Sequence, residues 1–188
     1  MATDLKDRLN GIIPKLQDPA FLANEGIGNE IGFYIFDYPP EQEPAVREAV
    51  DMVEKHFAKT GTIRIVTVNL FDLMLDVLKG RKALDAVVKS ETAWGPKATK
   101  SKVDPILKKT VVVEEILRRS GDGYDVLLLT GVGSVYPLIR MHEILNNLHD
   151  KLDRKPVVVF FPGEYNIQEL RLFGKLEANY YRAFRLVP

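Results

Sequence analysis

Thr130, Gly131, Gly133 and Ser134 stand together in Thr-Gly-Val-Gly-Ser, directly after the apolar run at residues 124–130. A glycine turn between a strand and a helix exposes backbone N–H groups and the helix's positive end, which is chemistry suited to an anion. The turn lacks the lysine of a Gly-x-x-x-x-Gly-Lys-Ser/Thr loop and the third glycine of a dinucleotide fingerprint. A tight strand-to-helix turn is therefore the simpler account of its glycines, and the turn stands as a candidate ligand site only. His142-Glu143 resembles the start of a zinc-protease motif, but Asn146 occupies the second histidine position, and His149 lies two helical turns from His142. No metal site is expected there. Asp37 and Glu164 follow apolar runs, where paired carboxylates can hold magnesium or act as acid and base. No histidine or lysine is placed with them, and an aspartate before Pro39-Pro40 fits a turn cap better. No Gly-x-Ser-x-Gly is present, so a serine hydrolase has no support. The expectation is a chain that is not an enzyme and needs no cofactor.

Two groups of basic residues suit binding. Lys97, Lys100, Lys102, Lys108 and Lys109, with Arg118 and Arg119 beyond them, face only Asp104, Glu114 and Glu115 as local acids. This segment is the candidate for direct contact with DNA. Arg171, Lys175, Arg182 and Arg185 interleave with Tyr180, Tyr181 and Phe184, a pairing common in protein interfaces. With the exposed-looking Arg140, the residues expected to bind a protein partner are Arg140, Arg171, Tyr181, Arg182 and Arg185.

These residues must be positioned by an alternation of strands and helices. The runs at 31–38, 62–69, 124–130 and 156–161 read as strands, and an alternating segment at 180–187 ends the chain as another. Thr62–Asn69 carries Arg64 and alternating threonines, which place it near a sheet edge. Helices are expected over 4–17 and after Pro44. Ser134 is expected to cap a long helix reaching Leu152. A further helix should span 167–176, where Asn166 and Glu169 resemble a capping box, with Pro162-Gly163 closing the strand before it. Residues 70–120 read as a helical insertion, broken at Trp94-Gly95-Pro96 and restarting with Asp104 as N-cap. The fold expected is α/β: one domain over residues 1–188, a mostly parallel sheet of about five strands flanked by helices, and no intact P-loop.

At 188 residues the chain suits one domain with a substantial core. The 26 basic and 26 acidic residues balance, so net charge selects no partner class. The absence of cysteine removes disulfides and thiol catalysis and fits a reducing compartment. No signal-peptide pattern or span-length apolar run is present, so the expectation is a cytoplasmic protein that does not enter a membrane.

Several segments carry a resemblance: residues 33–40, the block Leu-Thr-Gly-Val-Gly-Ser-Val-Tyr-Pro-Leu-Ile-Arg at 129–140, Val-Phe-Phe-Pro-Gly-Glu-Tyr at 159–165, Leu-Arg-Leu-Phe-Gly at 170–174, and residues 180–186. In this order they resemble the BrxB family of bacterial BREX phage-defence systems. The resemblance implies a non-catalytic adaptor working with a PglZ-like protein of the alkaline-phosphatase superfamily. An AAA+ ATPase and an adenine-specific DNA methyltransferase are the wider partners it implies. It assigns no role to any residue.

Overall fold

The computed structural model describes residues 4–24, 32–149, 151–152, 155–166, 169–175, 179–180 and 183–188. In place of one helix over 4–17 there are two short ones, α1 (Leu5–Asn10) and α2 (Ile12–Leu16), and a third, α3 (Pro19–Leu22), follows them. The first break falls at Gly11, where a Cβ would lie 2.9 Å from Val187 Cγ1. Asp18 caps α3 by accepting from Ala20 N at 3.0 Å, with Pro19 at the first helical position.

Strand β1 (Phe33–Tyr38) is buried at every position, as a central parallel strand must be. A single 3₁₀ turn, Pro40–Gln42, leads into α4 (Glu43–Thr60), which buries Val46, Val50, Val53 and Phe57 at helical spacing. Gly61, at φ 63°, ends it. After β2 (Ile65–Asn69) come α5 (Leu70–Gly80), α6 (Leu84–Val103) and α7 (Lys109–Ser120), the expected helical segment. The break expected at Trp94-Gly95-Pro96 is a kink within α6, where Gly95 has φ 78°. Asp104 does not start the next helix. Its carboxylate binds Lys100 Nζ at 2.6 Å and its N–H donates to Lys100 O, holding it at the end of α6.

Strand β3 (Val126–Thr130) is followed by a 3₁₀ turn, Gly133–Val135, and α8 (Met141–Leu148). The single helix expected from Ser134 to Leu152 is thus corrected: a loop containing the cis Tyr136–Pro137 bond separates the turn from α8. Strand β4 runs Val157–Tyr165, straight through Pro162-Gly163, which was expected to close it. The helix expected over 167–176 is instead β5 (Glu169–Leu172), antiparallel to β4, and β6 (Asn179–Tyr180) pairs with β5 in turn. The last strand, β7 (Phe184–Arg185), is shorter than the expected 180–187.

The sheet follows the order β2-β3-β4-β1-β7, all parallel, with β5 and β6 as an antiparallel extension of β4. The edge position expected for the second strand holds. One face packs Phe36, Leu128, Val158 and Phe160 against α2, α3 and α4, through Leu16, Phe21, Val50 and Phe57. The opposite face packs Leu127, Leu129, Val157 and Val159 against α5 to α8, through Leu73, Val113, Ile116 and Leu145. This is a single α/β domain with helices on both faces of a mostly parallel sheet. Among the described residues no helix is long and apolar enough to cross a membrane.

Candidate functional site

The carboxyl ends of the parallel strands are where open α/β sheets gather their functional residues. At the end of β3, Thr130 is half-buried and Gly131 has φ 73°, a left-handed conformation that favours glycine. A Cβ on Gly131 would lie 2.6 Å from Asn69 Oδ1. That oxygen is the N-cap of α5, accepting from Phe71 N at 2.9 Å and Asp72 N at 3.3 Å. A Cβ on Gly133 would lie 2.9 Å from Pro162 Cγ and 3.0 Å from Phe173 Cε1. Both glycines therefore let the chain pack on itself. Ser134 is exposed and caps no helix, because α8 begins only at Met141, with Arg140 as its N-cap. The helix N-terminus that made this turn an anion candidate lies elsewhere.

Behind Gly133, Pro162 and Phe173 of the β4–β5 hairpin pack against the turn. Glu164 pairs across the hairpin with Arg171, both exposed, and Arg171 also meets Glu169 Oε2 at 3.3 Å. Tyr136 leans edge-on against Phe173, with ring centroids 6.2 Å apart, and remains 37% exposed. Arg140 is exposed after it. The strand-end loop and the hairpin thus meet through Tyr136 and Phe173, and each segment carries one exposed arginine, Arg140 and Arg171. His142, in the first turn of α8, is half-buried. Burial pushes its imidazole pKa down, against the opposing pull of Glu143 at 3.9 Å. His149 ends α8, its ring 6.3 Å from Phe33. Among the described residues, no three acidic or histidine side chains gather as a metal would need.

Asp37 and Glu164 do not form a carboxylate pair facing a common crevice. Asp37 is buried, and its Oδ1 accepts from Arg8 Nη2 at 2.7 Å. Its Oδ2 accepts from Tyr165 N at 3.1 Å and Arg185 Nη2 at 3.4 Å. Arg8 also donates to Asp37 O at 2.8 Å and to Val187 O at 3.1 Å. Arg185 donates to Tyr165 O, and the Tyr165 hydroxyl donates to Ala183 O while accepting from Ala183 N. Of the residues expected to bind a partner, Arg185 is thus engaged internally, and Arg140 and Arg171 are displayed. Tyr181 and Arg182 lie outside the described residues.

The basic segment is divided. Lys97, Lys102, Lys108 and Lys109 are exposed, whereas Lys100 is held by Asp104. Arg118 and Arg119 both bind Glu115, and Arg119 reaches Asp76 at 2.8 Å. The hydrogen bond from Arg118, reinforced by Arg119, holds the Glu115 carboxyl down to about 2.

Sequence reasoning missed Arg8 and Tyr165, the two groups that complete Asp37. A carboxylate in an otherwise apolar buried strand was the available signal, because it requires a cation. Also missed was the Tyr38 hydroxyl, donating to Glu43 Oε2 at 2.5 Å. Burial first, then this carboxylate, raises the tyrosine's pKa.

Against known proteins, the family described as "BREX protein BrxB" matches residues 66–186. The chain is 40% identical over 188 residues to a "BREX protein BrxB" of Bacillus cereus (strain H3081.97), covering 97% of each chain. It is 35% identical over 188 residues to a "BREX protein BrxB" of Escherichia coli O9:H4 (strain HS), covering 98% of this chain and 92% of that one. No solved structure matches.

Proposed function

The chain belongs to the BrxB family, and from that membership we propose that it is an assembly component of a BREX defence system, binding a PglZ-like partner through its strand-end surface. Its family supports a role in the BREX system. The adaptor role rests on one observation: Tyr136 and Phe173 hold each other edge-to-face, joining two segments that each display an arginine, Arg140 and Arg171. Rigid aromatics beside arginines supply contact area at low entropic cost together with directional hydrogen bonding, the pattern of interface hot spots.

Co-purification with the PglZ-like protein tests the reading. The wild-type chain should elute with that partner after nuclease treatment. Arg140→Glu with Arg171→Glu should weaken the complex at least about tenfold, because reversed charges meet a surface selected for arginine. These two positions are chosen over Arg185, whose replacement would also disturb Asp37. Binding unchanged in the double variant removes the surface assignment, and no complex with wild-type protein removes the adaptor.

A further inference from the structure

We propose that the outer edge of β2, with the cleft between β2 and α4, docks an extended lysine- or arginine-bearing segment of a partner protein. Strand β2 ends the sheet and, among the described residues, pairs with β3 alone. Its sequence, Ile-Val-Thr-Val-Asn, contains no charge and no proline, the usual devices that blunt a sheet edge. Only Val68 is fully buried in it, whereas β1 is buried throughout. An edge of this kind can accept another strand through main-chain hydrogen bonds.

A cleft of about 410 Å³ runs from Thr67 and Asn69 of that strand across the neighbouring strand ends, past Thr130 and Phe160 to Tyr38, with α4 along one side. Thr67 lines the cleft, and its Oγ1 is buried without a hydrogen-bond partner among the described residues, a condition a donor reaching it would relieve. Charge decides what that donor should be. The two arginines of the cleft are already neutralised: Arg47 by Glu43 at 2.9 Å, and Arg119 by Asp76 and Glu115, each at 2.8 Å. Asp51, Glu54 and Asp72 also line the cleft and form no ion pair among the described residues. An added strand points every second side chain to the same face, so a segment with cations at alternate positions meets these carboxylates. Pairing with β2 of a second copy would set two acidic clefts side by side, which like-charge repulsion opposes. The residues involved are separate from Arg140 and Arg171, so this site stands or falls independently of the strand-end surface.

The test is fluorescence anisotropy of the full chain with a labelled heptapeptide of alternating valine and lysine. Two comparison peptides are used: one with glutamate in place of lysine, and the lysine peptide N-methylated along its backbone. The lysine peptide should bind. N-methylation should weaken binding at least about tenfold by removing the donors of the added strand. Asp51→Lys with Glu54→Lys should weaken it by a similar factor, about tenfold or more, with an unchanged urea midpoint. No binding at millimolar peptide, equal binding of the glutamate peptide, or an unchanged affinity in the double variant overturns the proposal. Equal binding of the N-methylated peptide does so too, since it leaves an acidic surface without strand addition. Should the double variant fail to fold, the three peptides on the wild-type chain still decide.

Discussion

Both carboxylate oxygens of Asp37 are occupied, and both of its strong cationic partners come from distant parts of the chain, Arg8 and Arg185. With side chains only 14% and 13% exposed, the Arg8–Asp37 pair lies out of reach of most solvent screening. Removing one member of such a pair leaves the other charge buried and unpaired. Asp37→Ala is expected to lower unfolding free energy by about 3 kcal/mol, read from urea denaturation. A loss within the range of ordinary surface substitutions, about 0.5 kcal/mol, would show the network to be dispensable. Glu115 gives a prediction of another kind. Its folded-state pKa, about 2, lies below the ordinary 4.5, so its stabilising contribution is present above 4.5 and lost as pH falls toward 2. Glu115→Gln should therefore be less stable than wild type at neutral pH, with the gap closing across that window. A gap of constant size between neutral pH and pH 2, measured by denaturant midpoints, would contradict the linkage.

The hairpin is where local sequence signals and tertiary structure part company. Pro162-Gly163 does mark a change, because β1 pairing ends at Pro162 and β5 pairing begins at Gly163. The strand itself continues and exchanges neighbours. Asn166 likewise accepts from Glu169 N at 2.9 Å, the contact expected of a capping box. Here it joins β4 to β5, since the same side-chain-to-backbone bond serves turns and helix starts alike. Gly163 is the tight point of this hairpin: a Cβ there would sit 2.2 Å from Arg171 O. Gly163→Ala should push β5 away from β4 and raise amide exchange across residues 163–172 while leaving β1 and β3 protected. Exchange unchanged at β5 would mean that the hairpin has slack the packing does not reveal.

Across the whole molecule, the layered architecture was legible because β1, β3 and β4 are apolar on both faces, which only a sheet covered on both sides can satisfy. The edge position of β2 was legible from Thr67 within it and from Thr62 and Arg64 just before it. The strand order was not, since β1 lies between β4 and β7, and contacts so distant in sequence leave no periodic trace. The same holds for the site. The glycine turn was located correctly, but its neighbours Pro162, Phe173 and Asn69 come from other segments and give the turn its packing role. Arg185 read as a surface cation because nothing near it in sequence names Asp37. That distant pairing also bears on the order in which the protein matures. Asp37 and β1 leave the ribosome well before Tyr165 and Arg185, which follow Asp37 by 128 and 148 residues. Leu186 N, which bonds Ile35 O at 2.9 Å, arrives later still. Until residues 165–186 have been made, then, the nascent chain carries an open β1 flank and an incompletely neutralised carboxylate, and the same short segment seals both.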